Sequence, residues 1–572
     1  MLVRGCLGGV LWLCMPLAAE TVTITILATT DVHGHIMPHD YFTAKPAERG
    51  LAGLAAHIAA VRKENPNTLL VDCGDTIQGS PLEAVFQHYR RTGKLPLNLA
   101  FPGEPFRADP MMLVMNHLRY DAMVLGNHEF NFGLKNLNAA RAEAAFPWLS
   151  ANTVASDGAR PFEPYIVKSL SGVKVAVLGV TTPAIPLWEK PENYAGYRFE
   201  DAVQSAARTV AELKAKHKPD LIVAAVHSGL GKDIKTGRPF PGETPGENVA
   251  YDVAASAPGI DALVYGHSHR QLEGALVKGV LLVQPRNFGM SLARMDFRLE
   301  GAPGRRKLID KRSRLIPATQ AADPEIARIA QPYHEMTERY LDSPVAVSPV
   351  EMDGALGRVQ DSPLVDLIHR VQLHYSGADV SFTSLFNHRV KIPKGRVTVR
   401  QIAALYLYDN ELYAIEGNGR MVREALENAA RYFTGCADPA CNQGPGINRS
   451  VPSFNFDMAQ GVEYEIDLTK PEGRRVVNLR WRGKPLADDQ PLRIAVNNYR
   501  AAGSGGYSMF RDAKIVWRAS QEIRNLIIEY YSERGELPAS ADRNWRIIPD
   551  KAREQLMREA QAAPGARDDS NR

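Results

Sequence analysis

Seven side chains that could hold metal ions recur where apolar runs end: Asp31 and His33, Asp75, Asn127, His227, and His267 with His269. Imidazole nitrogen suits zinc, manganese, iron or cobalt, and carboxylate and amide oxygens suit harder ions. A carboxylate such as Asp75 can bridge two cations through its two oxygens, and Asn127 offers an oxygen without adding charge. This mixed nitrogen and oxygen set, with no cysteine in it, fits a two-metal hydrolase better than a structural zinc site. Asp31 and His33 are two residues apart, as are His267 and His269. If the strand pitch persists, each pair points one way. A lone Asp-x-His is more often loop polarity than a ligand pair, and Gly-Asp after a strand is usually a turn. Gly126-Asn-His-Glu is more specific, and so is Gly266-His-Ser-His with Val226-His-Ser-Gly upstream. The weight rests on all of them occurring in this order. Two cations at such a site bind phosphate oxygens, lower the pKa of a water and stabilise an in-line displacement. The expected chemistry is hydrolysis by direct attack of a metal-held hydroxide, without a covalent enzyme intermediate. His128 follows the ligand Asn127 and is placed to stabilise the transition state and protonate the leaving oxygen. Glu129 is expected to fix the loop or a ligand by hydrogen bonding.

The elements that must position these groups alternate. Val22, Ile24 and Ile26 alternate with threonines and lead to Asp31, and Leu51 to Val61 has helical spacing. Thr68 to Cys73 runs into Asp75, Ala122 to Leu125 into Asn127, Leu221 to Val226 into His227, and Ala262 to Tyr265 into His267. Lys174 to Val180 is a further strand. Short apolar runs separated by helical stretches imply an α/β layered core. In such sheets ligands gather beyond the carboxyl ends of strands, which explains how residues so far apart could form one site.

The chain has 572 residues, too many for one simple domain, and a formal charge of +4. So small an excess does not argue for nucleic-acid binding, and is compatible with an anionic small molecule. Residues 1–19 read as a secretory signal: Arg4, an apolar stretch from Leu7 to Leu17, then small residues. That stretch is too short to span a bilayer. No membrane anchor is expected after its removal, and the destination is periplasmic or secreted. Cys436 and Cys441 lie in one short polar loop and could pair in an oxidising compartment, whereas Cys73 reads as simply buried. Texture divides the rest into 20–320, a link over 321–345, a second mixed α/β unit over 346–550, and a tail over 551–572 expected to be disordered. The link has helical character from Asp323 to Tyr340, with Pro332 expected to bend it.

Ala28-Thr-Thr-Asp-Val-His-Gly, Gly126-Asn-His-Glu-Phe, His227 and Gly266-His-Ser-His stand in the order of the calcineurin-like metallophosphoesterases. Over nearly all of its length the chain resembles the secreted 5′-nucleotidase family. The resemblance implies a four-layer α/β/β/α dimetal domain, a linking helix and a mixed α/β substrate-binding domain. It also implies Asp31, His33, Asp75 and His269 around one metal, and Asp75, Asn127, His227 and His267 around the other. Typical 5′-nucleotidases pair the catalytic histidine with an aspartate three residues on; here Asn131 stands in that place, which puts the dyad in doubt. Ile77-Gln-Gly-Ser-Pro-Leu, Asp361-Ser-Pro, Leu405-Tyr-Leu-Tyr-Asp-Asn, Phe454-Asn-Phe-Asp, Gly461-Val-Glu-Tyr-Glu-Ile-Asp and Asn497-Asn-Tyr-Arg-Ala resemble the bacterial periplasmic 2′,3′-cyclic-nucleotide 2′-phosphodiesterase/3′-nucleotidases. That branch implies Tyr408 and Tyr499 sandwiching a nucleobase, with Asn410 and Asn455 as hydrogen-bonding candidates and Arg389 as a phosphate-binding candidate. Gly505 stands where 5′-nucleotidases usually carry an aspartate. The expected reaction opens 2′,3′-cyclic nucleotides to 3′-nucleotides and then removes the 3′-phosphate, in a monomer with two divalent metals. The alternatives are a 5′-nucleotidase or nucleotide-sugar hydrolase, and a non-catalytic nucleotide-binding protein.

Overall fold

A computed structural model describes residues 20–562 apart from 101–105, 107, 241–242 and 439. The expected signal at 1–19 lies outside the described residues. The N-terminal half is built on two six-stranded sheets. In the first, Thr21–Thr29, Thr68–Asp72, Ala122–Val124 and Trp148–Leu149 run parallel in that order, and the antiparallel strands Ser291–Glu300 and Lys307–Pro317 extend the Thr21–Thr29 edge. In the second, Val173–Thr181, Leu221–His227, Ala262–Tyr265 and Val280–Gln284 run parallel, with Tyr165–Leu170 and Leu272–Val277 antiparallel at the edges.

Period-two alternation makes this a sandwich. Ile24, Ile26 and Ala28 share one core with Val175, Val177, Val223 and Val264 of the other sheet. Leu27, pointing the opposite way, packs with Leu54, Ile58 and Leu82 of the helices Leu51–Glu64 and Pro81–Thr92. On the far side, Ala224 and Leu263 pack with Ala206 and Val210 of the helix Ala202–Lys216. Two sheets between helical layers are the four-layer arrangement expected.

The helix Pro324–Leu341 follows, its first turn capped by the Asp323 carboxylate, which accepts from the N–H groups of Glu325 and Ile326. Ile326, Ala330, Tyr333, Met336, Tyr340 and Leu341 form its buried stripe. The C-terminal half holds a five-stranded sheet ordered Asp457–Gln460, Val380–Ser384, Pro491–Asn497, Glu411–Asn418, Ile515–Glu522, packed by the helices Pro363–Ser376, Gly419–Ala430 and Ile523–Arg534. A four-stranded sheet closes with Trp545–Ile548. Cys436 and Cys441 are disulfide-bonded and Cys73 is buried.

The expectation of disorder needs correction over 551–562. Asp550–Ala562 is an α-helix, with Ala552 and Leu556 fully buried in the core. The stretch is polar enough to read as disorder, but an i, i+4 apolar pair suffices to dock a helix on a preformed surface. Residues 563–572 lie outside the described residues. Among the described residues no helix is long and apolar enough to cross a membrane.

Candidate dimetal active site

The seven metal-competent residues converge at the carboxyl ends of strands from both sheets. Asp31, His33 and His269 form one cluster and Asp75, His227 and His267 a second, the ligating atoms within each lying no more than 4.8 Å apart. Asp75 ties the two together: its Oδ2 is 3.0 Å from His227 Nε2 and 3.9 Å from His33 Nε2. Asn127 Oδ1 stands 3.1 Å from His227 Nε2.

The convergence does not come from strand pitch. The strand ends at Thr29, and Asp31, His33, Asp75, His267 and His269 all have φ between 49° and 71°. Backbone in this left-handed region costs side-chain-bearing residues stability and clusters at functional sites. The paired ligands are therefore aimed by tight turns. The Asp31 carboxylate accepts the His267 N–H, which joins the ends of the two sheets.

Hydrogen bonds fix which imidazole nitrogen faces inward. His33 Nδ1 lies 2.8 Å from the Gln78 carbonyl and His227 Nδ1 2.7 Å from the Cys73 carbonyl. A carbonyl can only accept, so in both rings Nδ1 carries a proton and Nε2 is the nitrogen turned to the cluster. Burial holds His33 and His269 down at about 3, so both are neutral ligands at neutral pH. Burial also works against protonation of His227, but the Asp75 carboxylate outweighs it and raises that ring to about 10. His227 Nε2, Asp75 Oδ2 and Asn127 Oδ1 are three acceptors turned on one another. A cation at that point satisfies all three, and in its absence a proton on His227 does so. The donor set thus fits divalent metal ions.

Glu129 does what the sequence suggested. Buried between the loops, its carboxylate accepts N–H groups of Gly126 at 2.7 Å, Thr76 at 2.6 Å and Asp75 at 3.0 Å. It thereby holds the two ligand loops together. Burial, then the nearby Asp75 charge, raises its pKa. His128 donates its backbone N–H to Asp75 Oδ1, and its ring Nδ1 lies 2.6 Å from Asn131 Oδ1.

Several residues at the site carried no sequence signal. Asn287 Nδ2 is 3.2 Å from His269 Nδ1, Glu247 Oε1 is 3.3 Å from His267 Nε2, and the Phe288 ring packs on His33 and His269. Trp188 lies between His267, at 5.5 Å, and Tyr499, at 6.1 Å and 25° between ring planes. None follows a strand within a recognisable motif.

Tyr499 thus faces the candidate ligand clusters across Trp188, while Tyr408 packs edge-on against Phe386 at 5.0 Å. Asn410 is buried, its amide 3.5 Å from the Tyr406 hydroxyl. Asn455 Oδ1 is buried without a hydrogen-bond partner. It sits against Gly505, where a Cβ would come within 2.4 Å of it. Arg389 is exposed on the loop after Ser384.

Residues 24–271 match the calcineurin-like phosphoesterase family model, and residues 344–512 match that of the 5′-nucleotidase C-terminal domain. The chain belongs to the 5′-nucleotidase family of calcineurin-like metallophosphoesterases. It is 30% identical to the trifunctional nucleotide phosphoesterase protein YfkN of Bacillus subtilis, over 93% of this chain but only 39% of that protein. It is 29% identical to the 2′,3′-cyclic-nucleotide 2′-phosphodiesterase/3′-nucleotidase of Haemophilus influenzae, over 94% of this chain and 89% of that one. Among solved structures, a candidate 5′-nucleotidase from Staphylococcus aureus superposes with a TM-score of 0.78 at 27% identity, covering 92% of this chain and all of that one. This family uses divalent metal, and the clusters above are where this member could hold it.

Proposed function

We propose that the chain hydrolyses 2′,3′-cyclic nucleotides to 3′-nucleotides and 3′-nucleotides to nucleoside and phosphate. The observation that carries this reading is the pair of ligand clusters tied together by Asp75, beside a tyrosine that faces them from the other domain. Asp31, His33, Asp75 and His269 would hold one divalent ion, and Asp75, Asn127, His227 and His267 the other. Bound there, the ions would supply charge for the phosphate oxygens and acidify water. The remaining work falls to the chain's own groups. Glu129 keeps the Asp75 and Asn127 loops in register. His128, with its Nε2 3.9 Å from Asp75 Oδ2, stabilises the phosphoryl oxygens and delivers a proton to the leaving ribose oxygen.

Tyr499 and Tyr408 would take the base by stacking, which tolerates different bases. Asn455, with its unpartnered carbonyl oxygen, is a better placed polar contact than Asn410, whose amide is turned to Tyr406. Arg389 would reach phosphate only from an exposed loop. The Cys436–Cys441 disulfide and the apolar stretch from Leu7 to Leu17 support a periplasmic or secreted location.

The test is release of phosphate and nucleoside from 2′,3′-cAMP, 3′-AMP and 5′-AMP by metal-loaded protein, with and without chelator. Chelator-sensitive turnover of the first two is expected. Preference for 5′-AMP would move the assignment to 5′-nucleotidase, and no turnover with any metal would leave a nucleotide-binding protein.

A further inference from the structure

The imidazole at the centre of the proposed reaction has a neutral neighbour, and the structure shows what stands behind it. Asn131 Nδ2 donates to Glu189 Oε2 at 2.6 Å, while Asn131 Oδ1 faces His128 Nδ1, also at 2.6 Å. The other oxygen of Glu189 accepts from the Lys190 N–H at 2.7 Å and from Asn193 Nδ2 at 2.8 Å. Asn193 Nδ2 reaches the Asn131 carbonyl as well, at 3.1 Å. Glu189 is 9% exposed. We propose that Glu189 is a positioning residue for the catalytic histidine, acting through the Asn131 amide.

An amide at this place can turn either end toward His128, and the two orientations select opposite tautomers. The Glu189 carboxylate already accepts from Lys190 N–H and Asn193 Nδ2 at its other oxygen, and it meets Asn131 as an acceptor too. The NH₂ end of Asn131 must therefore point to Glu189 and the carbonyl oxygen to His128. Nδ1 must then carry the proton, which leaves Nε2 free to exchange one on the side facing the ligand clusters. Without Glu189 the amide can flip, and its NH₂ would hold the proton on Nε2 instead. The Glu189 carboxylate is itself held by two N–H groups from its own segment, so the chain His128–Asn131–Glu189 is preorganised.

That segment is anchored. Trp188 rests against His267 and Tyr499, and Lys190 pairs with Glu411 at 2.5 Å. Glu189 cannot move far without disturbing the domain contact. A structural role is thus the competing explanation, and the test must separate the two.

The inference rests on the reading of His128 given above, so the experiment is a double-mutant cycle of Glu189→Gln and His128→Ala on the metal-loaded protein. Turnover of 3′-AMP, metal content and thermal stability are measured for each. Glu189→Gln alone is expected to lower kcat by about 10- to 100-fold, within the range of general acid–base effects. KM and metal content are expected to stay close to wild type. In the His128→Ala background the same change is expected to cost nothing further. An equal loss in both backgrounds would overturn the inference and leave the histidine reading intact. If His128→Ala alone left turnover unchanged, the histidine reading would fall, and the inference with it.

Rescue supplies the second arm. Asn131→Asp alone would set two carboxylates face to face and is expected to lower turnover. Asn131→Asp with Glu189→Gln restores a donor opposite the new carboxylate and is expected to recover most of the kcat lost in Glu189→Gln. A double variant no better than Glu189→Gln would overturn the proposal, and so would a Glu189→Gln loss seen only in stability or metal content.

Discussion

Asp75 is the residue on which the site's electrostatics turn. Its carboxylate faces His33, His128 and His227 at once. The change Asp75→Asn keeps the shape but removes the charge that would balance two cations. It should cut bound metal, read by elemental analysis, and lower turnover by at least about 10²-fold, as loss of metal-held charge does. The raised pKa of His227 gives a second prediction. A histidine whose folded value is about 10 against about 6.5 unfolded stabilises the metal-free fold fully below pH 6.5. That contribution is lost as pH rises toward 10. Metal replaces the proton on His227, so the metal-loaded protein should not share the loss. The Tm gap between metal-loaded and chelator-treated protein should widen from pH 6.5 to pH 9. A constant gap would mean that His227 is not protonated in the metal-free state.

At the scale of elements, the turn after Ala262–Tyr265 and the turn after Thr21–Thr29 are pressed together. A Cβ on Gly266 would lie 1.8 Å from Thr30 Oγ1 and 2.6 Å from Asp31 Oδ2. Neither neighbour can retreat, because Asp31 holds the His267 N–H and Thr30 Oγ1 is bonded to Asp31. Gly266→Ala should therefore part the two strand ends. Loss of turnover and of metal is expected with a fall in stability of about 1–3 kcal/mol, the usual cost of overpacking. Wild-type metal content in that variant would show that the turn tolerates the side chain.

Across the whole molecule, the loop carrying Tyr408 is tied to the metal domain through Asp409. The Asp409 carboxylate accepts from Gln78 of the metal domain and from Arg524 of the helix Ile523–Arg534. The Gln78 carbonyl in turn holds His33. Asn498 donates to the Trp188 carbonyl, and Lys190 pairs with Glu411. Asp409→Ala cuts the first tie without touching a ligand. If the C-terminal domain supplies mainly ground-state binding of the base, KM should rise about 10-fold with kcat little changed. Equal losses in kcat and kcat/KM would instead show that the tie is needed in the transition state.

The metal-competent residues, the alternating α/β core and the linking helix were legible in the sequence because each is a local pattern: a polar group where an apolar run stops, or a stripe at helical spacing. Asp31 and His33 could be named as candidate ligands, but not how they turn inward, since left-handed turns leave no trace in side-chain type. Asn131 could be read as a departure, but not as half of a relay. Glu189 lies 58 residues further on, in a segment with no motif. Glu247, Asn287 and Trp188 were invisible for the same reason. The helix over 550–562 was missed because the surface that orders it belongs to other elements. The sequence by itself determined the kinds of atom available to the site and the order of the strands that end there. Only the tertiary structure decided which nitrogen of each histidine faces inward and which carboxylate stands behind Asn131, because hydrogen bonds and burial depend on neighbours that the chain brings together only by folding.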